Sequence, residues 1–99
     1  MAIIENHQHI YGGVREDGSK IFGEGFYCDR VKEGTYIVKF ERLFTGLPTP
    51  VCTTHGHEWR TFDKSIAIIE AAPHQFICVT SSPDRPVDCG FTFIVFGEI

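Results

Sequence analysis

Phe91-Thr-Phe-Ile-Val-Phe96 is the stretch that decides how the chain reads. Its residues alternate with a period of two, and both faces are apolar: Phe91, Phe93 and Val95 on one, Ile94 and Phe96 beside Thr92 on the other. The period belongs to an extended strand, and apolarity on both faces predicts a strand that is central or pressed against a second subunit. Working outward, Tyr36, Val38 and Phe40 alternate with Thr35, Ile37 and Lys39, which predicts a strand with one buried face. Phe76–Thr80, Ser65–Glu70 and Thr49–Thr54 are three further candidates. His9-Ile-Tyr11 and Lys20-Ile-Phe22 flank Glu16-Asp-Gly-Ser19, whose Asp-Gly pair signals a hairpin. Lys32-Glu-Gly34 and Ser82-Pro-Asp-Arg-Pro86 read as turns, and Gly23-Glu-Gly25 as a bulge or tight bend. No window of a dozen residues carries the three-and-four spacing of an amphipathic helix. The expectation is an all-β fold, a compact antiparallel β-sandwich of about six to eight short strands.

At 99 residues and 11.2 kDa the chain fills one core, and surface scaling buries about 65% of the extended chain's area. We expect a single domain over 1–99, with 1–10 as a lead-in strand or arm and 11–97 as the sandwich. Nine Phe among thirteen aromatics favour packed sheets. The net charge is −4 and basic residues form no cluster, so nucleic acid is not an expected partner. Met1-Ala-Ile-Ile-Glu-Asn-His7 has neither a basic n-region nor a long apolar run, so neither a signal peptide nor membrane insertion is expected. Cys28, Cys52, Cys78 and Cys89 form no CxxC pair. They read as small buried hydrophobes, or in an oxidising compartment as disulfide partners with three available connectivities.

Gly13-Val14, Asp17-Gly18, Gly23-Glu-Gly-Phe26, Arg30, Gly34-Thr-Tyr-Ile-Val-Lys-Phe40, Phe44, Pro48 and Pro50-Val51 form a series of landmarks that closes with Phe76, Asp88, Phe91-Thr-Phe93 and Gly97. This series resembles the small all-β tip domains at the ends of phage tail fibres and bacterial collagen-like proteins. It is also similar to H-type lectin domains and, more distantly, to C1q-type heads. The resemblance implies a homotrimer that binds a glycan or a protein, performs no chemistry and works in an extracellular or virion-associated setting. The corresponding expectation is self-association through Phe91, Phe93 and Phe96.

The long polar connection from His55 to Lys64 holds Trp59, the chain's one tryptophan. An indole face stacks on sugar C–H groups while His55, His57, Glu58 and Arg60 hydrogen-bond hydroxyls, so these five residues are the expected ligand-binding set. The alternative is that Trp59 folds back as the loop's own anchor. Two His-x-His pairs, His7-Gln-His9 and His55-Gly-His57, present imidazoles two residues apart on one face of an extended chain and are candidate ligands for a divalent metal. No other cofactor is expected. A cupin-like metal enzyme built on these pairs is the alternative function, although Glu58 follows His57 too soon for that pattern. A purely structural trimerisation cap is the third. Cys52-x-x-His55-x-His57 lacks a fourth zinc ligand, and Ser81, Ser82 and Cys52 come with no nucleophile elbow, so no catalytic residue is assigned.

Neutral imidazoles bind zinc or nickel and release them on protonation, so a real site at the second pair loses metal below about pH 6. Elemental analysis of untagged protein beside the double variant His55→Ala, His57→Ala checks this. Metal that disappears in the variant supports the site, and equal content in the two proteins removes it.

Overall fold

A computed structural model of the chain describes residues 7–56 and 63–99. Among them are nine strands and no helix: β1 (His7–Val14), β2 (Lys20–Gly23), β3 (Phe26–Lys32), β4 (Thr35–Phe40), β5 (Thr49–Thr54), β6 (Ser65–Ala72), β7 (Gln75–Ser82), β8 (Arg85–Pro86) and β9 (Phe91–Glu98). All pairings are antiparallel and form two sheets. Sheet A has the order β2-β1-β9-β5, and sheet B the order β3-β4-β7-β6 with the short β8 beside β7. β9 is central, as its two apolar faces predict.

Alternation governs what each strand buries. Tyr36, Val38 and Phe40 of β4 turn into the core with Phe76, Cys78 and Thr80 of β7, while Phe91, Phe93 and Val95 of β9 meet them from sheet A. Three edge-to-face contacts join the sheets: Phe26–Phe93 at 4.9 Å between centroids, Phe76–Phe93 at 5.3 Å and Tyr36–Phe91 at 5.3 Å. Each is worth about 0.5–1.5 kcal/mol beyond area burial. Phe44, in the connection from β4 to β5, closes one end against Phe40, with centroids 5.1 Å apart.

Three features differ from the sequence reading. β3 is a full strand; its inward Phe26 and Cys28 are separated by the exposed Tyr27, and its second half is polar, which hides the alternation. β1 pairs with β9 from His7↔Glu98 to Val14↔Phe91, so residues 7–10 of the expected lead-in strand or arm are strand and run on into the sandwich without a break at residue 10. The Asp17-Gly18 hairpin forms, but with a longer loop than a two-residue turn: Asp17 Oδ1 accepts from Ser19 N at 2.9 Å and Ser19 Oγ at 2.6 Å, and Arg15 N donates to Ser19 O at 2.7 Å.

Asp88 ties one end of the sandwich together. Its carboxylate accepts from Arg30 Nε at 2.8 Å and from the Gly34 amide at 2.7 Å. Gly34 sits at φ 78° in the β3–β4 turn, where an added Cβ would also press on Thr80 O and Pro86. Buried Tyr36 donates to Glu16 O at 2.6 Å, and Thr80 Oγ1 to Val87 O at 2.6 Å. Burial acts to raise the Asp88 carboxyl, but the Arg30 and Gly34 hydrogen bonds and the Arg30 charge together hold it below the usual aspartate value. A group depressed in the folded state contributes stability that is present above its unfolded value and lost as pH falls through the folded one. Asp88→Ala is therefore expected to lower unfolding free energy at pH 7 by about 1–2 kcal/mol, the cost of leaving the Gly34 amide without its acceptor. The gap from wild type is expected to narrow as pH falls below about 4, where the unfolded chain's aspartate protonates first and the folded carboxylate follows at its lower value. Urea unfolding of both proteins at pH 7 and pH 3 measures it.

Candidate functional site

The same alternation that fills the core determines what sheet A shows outside. Register sets three rows across β1, β9 and β5: His9–Phe96–Thr49, Tyr11–Ile94–Val51 and Gly13–Thr92–Thr53. Phe22 of β2 pairs with Gly13 and lays its ring over that bare position, where a Cβ would stand 2.5 Å from the ring. Gly12 does the same service inward, since a Cβ there would collide with Phe26. The Gly12-Gly13 pair thus admits one phenylalanine on each side of the sheet.

The result is an open face without a charged side chain in these three rows; the next pair, His7–Glu98, sets one carboxylate at its end beside Phe96. Tyr11 is 56% exposed, Phe22 44%, Val51 60%, Ile94 44% and Phe96 44%. Rings run along it in continuous contact: His7 stacks on Phe96 at 5.3 Å, His9 on Phe96 at 6.5 Å and on Tyr11 at 6.3 Å, and Tyr11 leans on Phe22 at 6.4 Å. A shallow trough of about 390 Å³ lies between Tyr11 and Phe22 on one side and Val51 on the other. Lys20, which would charge the near edge, instead points its Nζ over the Phe26 ring at 4.4 Å. The outer face of sheet B is different in kind. It carries the Asp29–Lys39 ion pair at 3.2 Å and the exposed Glu70.

Several sequence-predicted residues find definite places here. Of the three expected self-association residues, Phe96 lies on the open face, but Phe91 and Phe93 are 0% and 5% exposed and face the core. The period of two puts them opposite Phe96, and the outward residue beside it is Ile94. His7 and His9 share one face as expected of an extended pair, and both stack on Phe96. His55 is exposed just after β5, its amide donating to Gly90 O at 2.8 Å. Since Thr54 pairs with Phe91 and His9 with Phe96, His55 lies at the opposite end of sheet A from His7 and His9, roughly 20 Å from His9 at about 3.4 Å per residue. Among the described residues no three His, Cys, Asp or Glu side chains are grouped to hold a metal ion. His57, Glu58, Trp59 and Arg60 lie outside the described residues.

The nucleophile candidates have other partners. Ser81 Oγ lies 3.0 Å from Ser65 Oγ, and Ser82 Oγ donates to Asp84 Oδ1 at 2.9 Å. Cys52 turns inward, away from His55. Tyr11, Phe22, Val51 and Ile94 are the face residues that the sequence reading did not single out. The signal was present in the period of two, which assigns each of them to the face opposite the core. Comparison with protein-family models, curated proteins and solved structures finds no match to this chain.

Proposed function

We propose that this protein is a non-enzymatic recognition module that assembles as a homotrimer through the outer face of sheet A and presents the connection between β5 and β6 to a glycan or protein ligand. The observation that carries the reading is the aromatic face itself, whose three central rows hold no charged side chain. At about 200 Å² for a whole aromatic side chain, the exposed fractions of Tyr11, Phe22, Val51, Ile94 and Phe96 amount to roughly 500 Å². That is at the upper end of what a monomer leaves open.

The layout of the face suits a closed ring of copies. Its aromatic rings lie to one side of β9, on β1 and β2, and its aliphatic and threonine side chains lie to the other, on β5. A head-to-tail contact sets the rings of one copy against Val51, Thr49 and Thr53 of the next, and the β9 row of Ile94 and Phe96 falls nearest the axis. Self-burial of this kind leaves the connection after Thr54 at the rim, available to a ligand.

Ile94→Lys places a charge in the middle row without touching the core. Light scattering is expected to give three times the chain mass for wild type at micromolar concentration and the single-chain mass for the variant, with an unchanged far-ultraviolet spectrum. Wild type at 11 kDa would overturn the assembly. For the ligand side, Trp59→Ala is expected to abolish binding on a glycan array while leaving oligomer and melting temperature unchanged. A sharply lower melting temperature would place the indole in the core instead.

A further inference from the structure

Imidazole is the side chain that changes its charge between about pH 5 and 8, and two imidazoles stand among the rings of sheet A's outer face. His9 occupies the row His9–Phe96–Thr49. It is exposed, and its ring lies within 6° of parallel to Phe96 at 6.5 Å and within 20° of Tyr11 at 6.3 Å. His7, two residues earlier on β1, stacks on Phe96 at 5.3 Å and has Glu98 as its register partner. Phe96 therefore stacks with both imidazoles, and it belongs to the β9 row that the assembly proposed above sets nearest its axis. On the other side of β1, β2 ends at Gly23 opposite Gly12, and the exposed Glu24 follows it. The connection from β4 to β5 carries the exposed Glu41 and Arg42 and reaches β9 where the Thr45 amide donates to Glu98 O at 2.9 Å. Among the described residues, Glu98 is thus the charged group set beside His7, and the His9 row holds none.

We propose that His9 is a pH switch on the outer face of sheet A, holding the homotrimer together as the neutral imidazole and releasing it on protonation, with His7 as a weaker second trigger. The inference rests on the self-association reading given above. In the free chain a charged His9 has the Phe96 ring on one side and water on the other, an arrangement that a cation accepts. In the trimer the next copy's Val51, Thr49 and Thr53 cover that ring with methyl and hydroxyl groups and offer no carboxylate. An imidazolium taken out of water without an acidic partner is strongly disfavoured, so the assembled state holds fewer protons than three free chains. By linkage, association is strongest above the range in which imidazole titrates and weakens as pH falls through it. Glu98 offsets the same charge on His7, which leaves His9 as the principal trigger. With three copies of His9 kept neutral, the association constant falls by up to about a thousandfold per pH unit, and the chain concentration at half-assembly rises by about tenfold or more. The direction is diagnostic. The chain carries a net charge of −4, so protonating its histidines reduces the general repulsion between copies and by itself would favour assembly at low pH.

The test is light scattering of the full chain over a concentration series at pH 7.5 and pH 5.5, with far-ultraviolet spectra at both. Asp88, held below the usual aspartate value, stays ionised at pH 5.5, so an unchanged spectrum is expected. Wild type is expected to give three times the chain mass at pH 7.5 and a half-assembly concentration about tenfold higher at pH 5.5. His9→Gln, neutral throughout, is expected to assemble equally at both, and His7→Gln to dissociate nearly as wild type does. The same half-assembly concentration for wild type at both pH values would overturn the switch alone, as would a His9→Gln variant that dissociates like wild type. A spectrum lost at pH 5.5 would overturn it too, since dissociation would then follow from unfolding. Single-chain mass for wild type at pH 7.5 at every concentration would overturn the self-association reading and the switch with it.

Discussion

Phe93 stands edge-on between Phe26 and Phe76, and both contacts cross from one sheet to the other. The rest of the arrangement is constrained by that ring. It fixes which residues of β9 face inward, because a slip of one residue would carry every side chain of the strand to the opposite face. It requires Gly12, its register partner, to stay bare so that Phe26 can reach it. It also sends Ile94 and Phe96 outward, where the core can make no use of them. An apolar outer face is therefore a consequence of the register but not a requirement of the fold. Threonine or lysine at those positions would fold as well. The placement of Ile and Phe there, with Tyr11, Phe22 and Val51 around them, is what singles the face out for the proposed self-association.

The opposite end depends on polar groups. Asp88 gathers Arg30 and the Gly34 amide, and Tyr36 reaches Glu16 from within the core. The two Asp88 contacts join residues more than fifty positions apart in the chain. They hold the β3–β4 turn and the lead into β9 in one place, so that β9 enters sheet A in the register that Phe93 requires. The aromatic cluster and the Asp88 cluster thus act on the same strand from its two sides, one by packing and one by hydrogen bonding.

Much of this was legible from residues taken singly. The period of two in Thr35–Phe40 and Phe91–Phe96, and the turns at Asp17-Gly18, Lys32-Glu-Gly34 and Pro83-Asp84, describe both sheets closely because each strand is half-buried and each turn carries its own local chemistry. β3 escaped because its second half, Asp29-Arg-Val-Lys32, faces water on an edge and has no apolar rhythm to read. That Phe91 and Phe93 face the core, opposite Phe96, was hidden for a related reason. A strand apolar on both sides does not say which side is the core until its neighbours are placed. The pairing of Asp88 with Arg30 depends on how distant parts of the chain are juxtaposed, which no local pattern contains.

Hydroxyl-radical footprinting of the protein at micromolar concentration tests the central claim most directly, since it reads both sheets in one sample. Tyr27 on sheet B is 63% exposed and Tyr11 on sheet A 56%, so in an isolated chain the two tyrosines oxidise at similar rates. The account predicts that Tyr11, Phe22 and Phe96 are protected while Tyr27 is labelled, with the protection lost on dilution. Equal labelling of Tyr11 and Tyr27 at every concentration, or protection confined to Tyr27, would contradict it.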